Sequence, residues 1–542
     1  MGRRILGRVS PAASPVDEIV LTGRDLTVAH VVAVARAPLD APGSPGVRVD
    51  PDAVRRMDAS RAVIEEVVAG GQVVYGVTTG FGDLATRTIQ PDEGGRLQTN
   101  LLVSHAVGVG RPLDRDVVRA MLLLRANTLA LGHSGCRVVV VERLLDLLRL
   151  GIHPLVPEQG SVGASGDLAP LAHLALPLIG RGEVEWRGRL MPAADALRQA
   201  GLDALQLQAK EGLALLNGTQ MMTALGVLVL HDAERLLGTA STVAAMSIEA
   251  LLGTDVPFSA AYQAARPHPG QSAVAAELRQ LLRDSALIRS HHSTPHKVQD
   301  PYSLRCVPQV HGAARDAIGY VRGVLEIEIN AATDNPLVFP AGDAADPAAL
   351  ATGGGRIVSG GNFHGEPVAM ALDLAKIAIA ELASISERRI ALLVDGHLSG
   401  LPPFLAVDAG LNSGFMVLQY TAASLVSENK VLAHPASVDS IPTSANQEDH
   451  VSMGATAARH ARDILRNAEQ VLALELLCAA QGLDFRLADG GPLPGLGVTE
   501  AHRLVRERVA HLDSDRDLGP DITAGLELVR SGALAEPARL AG

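Results

Sequence analysis

The chain has 542 residues, of which 47% are hydrophobic and 20% are charged, so it can bury a large core and is typical of a globular protein. Its 59 acidic residues outnumber its 47 lysines and arginines, giving a net charge of −12 without a basic stripe, which argues against nucleic-acid binding. Three scattered cysteines predict neither a disulfide framework nor a zinc site, and no apolar run reaches the roughly 18 residues of a membrane span. With no signal-peptide pattern at the N-terminus, we expect a cytoplasmic protein without a membrane or nucleic-acid partner or a metal site.

The predicted elements are mainly helical. Residues 1–50 are rich in proline, glycine and alanine and are expected to form an irregular lead-in. Apolar spacing predicts helices over 52–69, 117–131, 139–150, 368–389 and 455–481. Loops are predicted over 73–82, 160–167 and 291–312. Several helices of this length in one chain favour a central bundle. We predict one domain over 51–215 and a helical-bundle and C-terminal domain over 216–542.

The loop 160–167 contains the triplet Ala164-Ser165-Gly166, which has two interpretations. As a tight turn, it would leave Ser165 or Asp167 to cap the following helix. If instead the Gly166 nitrogen reaches the Ala164 carbonyl, a five-membered ring can close. Loss of water, including the Ser165 hydroxyl, then leaves an exocyclic methylene. Glycine suits the attacking position because no side chain blocks its approach.

With its flanks, GSVGASGDLAPLAH, this segment resembles the aromatic amino acid ammonia-lyases and aminomutases. Their prosthetic group is 4-methylidene-imidazol-5-one (MIO). The resemblance runs from about Asp52 to the region of Asp484 and includes several separate motifs. It implies that MIO forms autocatalytically from Ala164-Ser165-Gly166. It also implies a mainly α, fumarase/aspartase-like homotetramer, with an MIO-bearing N-terminal part, a central bundle of long helices, and active sites shared between subunits.

Two further motifs match functional residues of this family. Tyr75, in YGVTTGFG, matches a catalytic base near the substrate β-carbon. A tyrosine is a poor base unless its anion is stabilised, so a neighbouring electrophile or cation would have to assist it. Asn217, in EGLALLNGTQ, matches a residue that hydrogen-bonds the prosthetic group or the substrate. A side-chain amide beside the ring oxygen would stabilise negative charge there.

The segment VQDPYSLRCVPQVHG supplies three more candidates. The planar guanidinium of Arg305 suits bidentate capture of an α-carboxylate, and the resemblance implies this role. Gln299 and Tyr302 are spaced so that one helical face could carry them with Arg305, and they are implied to lie around the prosthetic group. Phe363, in SGGNFHGEP, is implied to form part of the active-site wall.

Two positions distinguish the branches of the family. The pair Ser104-His105 resembles the histidine-selective branch, whereas phenylalanine-selective members tend to be apolar there and tyrosine-selective members carry His-Leu. Glu448, in SANQEDHVSMG, also matches the histidine-selective branch. A carboxylate can accept the N–H of an imidazole, but against a phenyl ring it would lie unpaired at a cost of several kcal/mol. We therefore expect His105 and Glu448 to orient an imidazole ring.

Together these matches imply that the protein eliminates ammonia from L-histidine to give trans-urocanate. The implied catalytic residues are Tyr75, Ala164, Ser165, Gly166, Tyr302 and Glu448, and the implied substrate-binding residues are Ser104, His105, Asn217, Gln299, Arg305 and Phe363. In the family's favoured scheme the substrate amine adds to the methylene, whereas an older scheme has the ring attack it, and the sequence fits both. A phenylalanine or tyrosine ammonia-lyase and an aminomutase are the alternatives. An inactive scaffold would have no reason to keep these residues together.

Overall fold

A computed structural model describes residues 18–38, 45–80, 82, 87–292, 298–340, 350–352 and 355–541. The described residues fall into two compact units. The first takes its residues from 1–228, 323–370 and 436–459, and the second from 229–322, 371–435 and 460–542. The chain therefore passes between the units several times, whereas a single boundary after residue 215 was expected. Four long helices each contribute residues to both units, namely Gln220–Ala250, Val307–Glu328, Glu366–Val394 and Gly454–Leu487.

The first unit combines helices with short strands. Its helices are α1 (Val28–Ala35), α2 (Pro51–Ala69), α3 (Gly94–His105), α4 (Arg115–Ala130), α5 (Val138–Arg149), α6 (Ala169–Ala175), α7 (Ala193–Gln199) and α8 (Glu211–Leu216). Its strands are β1 (Glu18–Leu21), β2 (Gly46–Val49), β3 (Val109–Pro112), β4 (His153–Pro154), β5 (Pro157–Gln159), β6 (Glu183–Trp186), β7 (Arg189–Pro192), β8 (Leu337–Pro340), β9 (Leu350–Thr352) and β10 (Gly355–Val358). Strands β1 and β2 pair in parallel, and the antiparallel sheets have the orders β3-β5, β4-β6-β7 and β8-β10-β9.

The remaining helices include the longest in the described part of the chain. They are α9 (Gln220–Ala250), α10 (Ala260–Ala264), α11 (Pro269–Leu281), α12 (Ala286–Arg289), α13 (Tyr302–Arg305), α14 (Val307–Glu328), α15 (Glu366–Val394), α16 (Gly396–Ser399), α17 (Met416–Leu432), α18 (Gly454–Leu487), α19 (Leu496–Arg506), α20 (Gly519–Ser531) and α21 (Pro537–Leu540). Helices α9, α14, α15 and α18 are 22 to 34 residues long. The mainly α fold is confirmed. None of the described helices is long and apolar enough to cross a membrane.

The predicted helices agree closely with the structure. Helix α2 begins where the Asp50 side chain accepts hydrogen bonds from two backbone amides, with Pro51 in its first turn. Helices α4 and α5 match the segments expected from apolar spacing, and α5 buries one leucine- and valine-rich face. Helices α15 and α18 extend beyond the predicted 368–389 and 455–481 at both ends.

The predicted irregular lead-in is more ordered than we expected. Within residues 18–38 and 45–50, the chain forms β1, α1 and β2, and the buried side chains Ile19 and Val47 lie opposite each other in the parallel pair. Residues 1–17 and 39–44 lie outside the described part. The prediction rested on the proline and glycine content of the whole segment, and it therefore missed two short strands with buried side chains.

A buried charge network links three long helices within the second unit. The Arg389 guanidinium on α15 donates to both carboxylate oxygens of Glu475 on α18, at 2.5 and 2.8 Å, and both side chains are fully buried. The hydroxyls of Ser247 on α9 and Ser386 on α15 also donate to Glu475, each at 2.6 Å. Every acceptor position of the carboxylate is thereby engaged, as a buried charge requires.

Candidate active site

The predicted loop 160–167 lies between β5 and α6 in the first unit. Gly166 has a φ of +74°, and a Cβ placed there would lie 2.1 Å from the carbonyl oxygen of Gly218. The next amide, that of Asp167, donates to the same oxygen at 2.7 Å. Ala164 is buried and packs with Val451 and Met453. Position 166 therefore accepts glycine alone, and the backbone of the triplet is held against Gly218.

Two other chain segments hold this loop. The Gly163 carbonyl accepts hydrogen bonds from the Gly365 amide at 3.3 Å and from the Ser452 hydroxyl at 3.0 Å. The Met453 amide donates to the Val162 carbonyl at 2.8 Å. The loop 359–365, which contains the half-buried Phe363, and the segment 443–453, which contains Glu448, thus both lie beside the triplet.

Asn217 directs its side chain at the triplet. It follows the last residue of α8 and its Nδ2 donates to the carbonyl oxygen of Ser165 at 2.9 Å. That oxygen would become the ring carbonyl if the triplet cyclised. The Arg125 guanidinium, buried in α4, fixes the Asn217 backbone by donating to its carbonyl oxygen at 3.0 Å. The other amide atom, Oδ1, is buried without a hydrogen-bond partner among the described residues.

Glu448 contacts the hydroxyl that the predicted chemistry removes. The Ser165 Oγ donates to Glu448 Oε1 at 2.7 Å, and the Thr443 hydroxyl donates to Oε2 at 2.6 Å. Thr443 and Glu448 are also paired through their backbones, with the Thr443 amide donating to the Glu448 carbonyl at 3.0 Å. Between them, Ser444, Ala445 and Asn446 adopt left-handed φ values of +50°, +54° and +69°. Such strain in non-glycine residues is frequent at functional sites, and here it shapes the turn that presents the carboxylate.

His105 is the last residue of helix α3. Burial lowers the pKa of its imidazole, while its hydrogen bond to the Leu101 backbone and the negative charge of Glu448 act in the opposite direction. The imidazole and the Glu448 carboxylate are therefore close enough to interact electrostatically. The Ser104 hydroxyl lies 3.0 Å from His105 Nδ1. A lowered pKa leaves His105 neutral at pH 7, so one ring nitrogen remains a hydrogen-bond acceptor.

Tyr75 lies in the predicted loop over 73–82, whose residue 81 is outside the described part. Its phenolic oxygen accepts a hydrogen bond from the Gly82 amide at 3.3 Å. A Cβ added to Gly82 would lie 2.6 Å from Ser444 Oγ, in the turn that precedes Glu448. The glycine therefore allows the loop that carries Tyr75 to pack closely against the turn that carries Glu448.

The remaining three candidates, Gln299, Tyr302 and Arg305, lie in the second unit. The expectation of one shared helical face was wrong for Gln299, because α13 begins only at Tyr302, directly after Pro301. The other two behave as expected for residues three apart, since the Arg305 guanidinium lies 4.6 Å from the centre of the Tyr302 ring. Residues 293–297 of the predicted loop 291–312 lie outside the described part.

Asp167 has a role that the sequence did not reveal. We considered it as a cap for the helix that follows it, but its Oδ2 accepts from the Met221 amide at 2.6 Å, at the start of α9. Burial raises the pKa of this carboxyl to about 7, against the hydrogen bonds from Met221 and Met222. The two partners are 54 positions apart, so no local spacing pattern could have identified the pair. Thr443 was also missed, although it lies only five positions from its partner Glu448, because the two residues are joined by a turn and not by a periodic element.

These contacts fit a triplet that cyclises. Gly166 has no side chain between its backbone and Gly218, and the buried Asn217 amide already donates to the Ser165 carbonyl oxygen. A preorganised donor on this oxygen would stabilise negative charge that develops there. The mainly α fold and the grouping of Ser165, Asn217 and Glu448 are those expected of an amino acid lyase.

Comparison with known proteins agrees with this class. Residues 26–507 match the model of the aromatic amino acid lyase family, and the chain belongs to this family. It is 53% identical to the histidine ammonia-lyase of Chloroflexus aurantiacus over 525 residues, covering 96% of this chain and 98% of that protein. The crystal structure of histidine ammonia-lyase from Trypanosoma cruzi superposes with a TM-score of 0.85 at 42% identity, covering 96% of this chain and 94% of that one. Tyrosine aminomutase from Streptomyces globisporus superposes with a TM-score of 0.86 at 38% identity, covering 95% and 97%.

Proposed function

We propose that this protein eliminates ammonia from L-histidine to give trans-urocanate, using MIO formed from Ala164-Ser165-Gly166. The observation that carries the proposal is the Glu448 carboxylate, whose Oε1 lies 2.7 Å from the Ser165 hydroxyl oxygen. The relatives named as histidine ammonia-lyases support the same substrate. Their identity over nearly the whole chain favours a lyase over a phenylalanine- or tyrosine-specific enzyme or an aminomutase.

Recognition of the imidazole follows from the charges at the site. When the Ser165 oxygen is lost, Glu448 Oε1 loses the donor that it has in the unprocessed chain. A partly buried carboxylate oxygen then needs another hydrogen-bond donor. The N–H of the substrate imidazole supplies one, and the neutral His105 can accept or donate beside it. The phenyl ring of phenylalanine has no such donor, so the same site would leave the carboxylate unpaired.

In the proposed reaction each residue has a defined task. MIO supplies an electrophilic methylene carbon, which assists the departure of the amine. Tyr75 removes the β-proton, and the Asn217 amide stabilises negative charge on the oxygen that belonged to Ser165. Arg305, of this or a neighbouring subunit, binds the α-carboxylate through its planar guanidinium.

The other predicted residues surround the substrate. We assign Phe363 to the wall of the site, Ser104 to the positioning of His105, and Tyr302 and Gln299 to the surroundings of the prosthetic group. The hydrogen bond distance of 3.0 Å between Ser104 Oγ and His105 Nδ1 supports the second of these assignments.

We also propose that the enzyme is a cytoplasmic homotetramer with shared active sites. Helix α17 supports this assembly, because only Leu418, Ala422 and Asn429 of its 17 residues are buried. Its Val417, Tyr420 and Val431 are 62%, 62% and 70% exposed, as expected for a surface that a second copy covers. The free thiols of Cys136, Cys306 and Cys478 suit a reducing compartment.

The test is to incubate the purified protein separately with L-histidine, L-tyrosine and L-phenylalanine. Conjugated products are followed by ultraviolet absorbance, ammonia by a coupled assay, and β-amino acids by chromatography. We expect urocanate and ammonia from L-histidine alone. Turnover of L-phenylalanine without turnover of L-histidine would refute the substrate, and β-histidine as the main product would make the enzyme an aminomutase.

The prosthetic group is tested separately by the intact mass of the purified chain. Cyclisation followed by loss of the Ser165 hydroxyl removes two water molecules, so the chain should weigh that much less than its sequence requires. An active preparation with an unshifted mass would contradict self-processing. The variant Ser165→Ala, which has no hydroxyl to lose, is the control, because it can lose one water at most.

A further inference from the structure

We propose that Glu448 has an earlier task than substrate recognition: it is the acid that releases the Ser165 hydroxyl while the chain matures. This inference rests on the proposed function, because it concerns how the prosthetic group of that function forms. It adds a step at which Glu448 acts before any amino acid is bound.

The geometry places the carboxyl group on the leaving atom itself. Ser165 Oγ and Glu448 Oε1 are 2.7 Å apart, within hydrogen-bond distance, although the residues are 283 positions apart in the chain. The carboxyl group cannot turn away freely, because the Thr443 hydroxyl holds its other oxygen at 2.6 Å. The backbone pairing of Thr443 with Glu448 fixes the base of the same side chain. Glu448 is therefore preorganised on the hydroxyl oxygen of Ser165.

The chemistry of the second dehydration requires such a group. Once the ring has closed and the first water has left, the Ser165 Cα lies between the ring carbonyl and the imine nitrogen. Its C–H bond is therefore acidic, because the carbanion is delocalised over the carbonyl and the C=N bond. The C–H bond breaks and its electron pair forms the Cα=Cβ double bond as the Cβ–Oγ bond breaks. Hydroxide is a poor leaving group, so Oγ departs readily only when it gains a proton.

Glu448 supplies that proton in its carboxylic acid form. The proton released from Ser165 Cα passes through water to the carboxylate, and the carboxyl group transfers a proton to Oγ, which leaves as water. The carboxylate is regenerated, and the step consumes no net proton and needs no oxidant or reductant. General acid catalysis of this kind typically contributes about 10²–10⁴-fold in rate.

A consequence concerns the order of events at the site. In the unprocessed chain Glu448 Oε1 is occupied by the Ser165 hydroxyl, and maturation itself frees it. The carboxylate is thus available to the substrate imidazole only after the prosthetic group is complete. Substitutions of Glu448 are therefore expected to reduce activity in two separable ways, through slower maturation and through weaker substrate handling.

The experiment follows maturation of the full chain by mass instead of activity. Wild-type protein and Glu448→Gln are made by cell-free synthesis, quenched in acid at successive times, and weighed intact. We expect wild type to reach the mass lacking two waters, while Glu448→Gln accumulates a species lacking one water and loses the second about 10²-fold more slowly. Asp449→Asn, which removes the neighbouring exposed carboxylate, is the matched control and should follow the wild-type time course.

The possible results separate the two proposals. A wild-type chain that never loses water would refute the proposed function. A wild-type chain lacking two waters, with Glu448→Gln processed at the same rate, would overturn the role of Glu448 and leave the proposed function standing. A folded Glu448→Gln chain of full mass would also overturn it, because the proposed task begins after the first water has left.

A second variant keeps the test decisive if Glu448→Gln does not fold, as judged by its melting temperature. Thr443→Val retains the acid but removes the hydrogen bond that holds its second oxygen. We expect its second dehydration to slow several-fold, because the carboxyl group is then held less firmly on the Ser165 oxygen. An unchanged time course for this variant would overturn the proposal.

Discussion

Single hydrogen bonds around Ser165 determine what the site can do. Its hydroxyl contacts Glu448, its carbonyl oxygen accepts from Asn217, and the glycine that follows it fits only because it has no side chain. The Glu448 carboxylate is held by a second contact from Thr443, and the Asn217 backbone by one from Arg125. A site held in this way loses little energy to reorganisation during the reaction.

Asn217→Ala should lower kcat on L-histidine by about 10²–10³-fold, because it removes one preorganised donor from the ring oxygen. Initial rates measured by urocanate absorbance provide the test. Intact mass must be measured on the same sample, so that a loss of turnover is not confused with a loss of processing. Fully processed Asn217→Ala with a kcat within about twofold of wild type would contradict the role of the amide.

Tyr75→Phe should lower kcat by about 10²–10⁴-fold, the usual contribution of a general base, while the chain still loses two waters. The phenol accepts only a backbone hydrogen bond from Gly82 in the described structure, so its removal should change stability little. Rates with β-deuterated L-histidine provide a second measurement. Undiminished turnover in the processed variant would exclude Tyr75 as the base.

At the scale of whole elements, buried polar contacts fix the register between helices, which the apolar pattern alone does not specify. Glu475 on α18 accepts from two residues of α15 and one of α9. Glu249 on α9 likewise accepts from Ser285, which caps α12, and from the Gly495 amide, which precedes α19, at 3.0 Å. Apolar faces drive these helices together, and the polar contacts select one register.

Glu475→Leu should destabilise the protein by about 3–5 kcal/mol, because it leaves the buried Arg389 without its partner. The double variant Arg389→Met, Glu475→Leu should lose much less, since neither charge is then buried. Urea or thermal unfolding of both variants and of Arg389→Met completes the cycle. Equal losses for Glu475→Leu and the double variant would contradict a coupled pair.

Glu249→Gln tests a pH dependence. Burial raises the pKa of this carboxyl to about 7 from its ordinary value of 4.5, against the hydrogen bonds from Ser285 and Gly495. The folded chain therefore binds this proton more tightly than the unfolded chain. Binding of this proton therefore stabilises the fold fully at a pH below the pKa that Glu249 has in the unfolded chain. The stabilisation is lost as the pH rises through about 7.

The neutral glutamine should consequently gain stability relative to wild type between pH 5 and pH 8. We expect the Tm difference, variant minus wild type, to rise by a few degrees, since about 1 kcal/mol corresponds to roughly 2–4 °C in domains of 150–250 residues. Glu527→Gln, at an exposed carboxylate, is the control and should show no such trend. A Tm difference that falls with pH would contradict the assignment.

At the scale of the whole molecule, the proposed assembly is the property that most affects activity. Multi-angle light scattering should give a mass of about four times the 56.4 kDa of one chain. Tyr420→Arg places a charge on the exposed face of α17. It should weaken the proposed tetramer and lower activity together, because the proposal has the active sites shared between subunits. Leu190→Arg, at a similarly exposed apolar position on β7, should leave the mass unchanged. A fully active monomer would refute the proposed assembly.

Local patterns in the sequence predicted much of this protein. Apolar spacing identified α2, α4, α5, α15 and α18, because helix periodicity records which side of one segment is buried. The flanks of Ala164-Ser165-Gly166 and the separate motifs identified the family, since each motif is a short contiguous segment that contains functional residues. The same spacing argument failed for Gln299, where Pro301 makes the helix begin later than expected.

Tertiary structure decided which of these stretches meet. The contact of Glu448 with the Ser165 hydroxyl and the cap that Asp167 provides for α9 join positions 283 and 54 residues apart, which no periodicity relates. Such contacts depend on how packed segments bring distant side chains within about 3 Å, a distance set by the whole fold. The sequence therefore predicted Ser165 as the reactive residue, but only the folded chain revealed that its hydroxyl donates to Glu448.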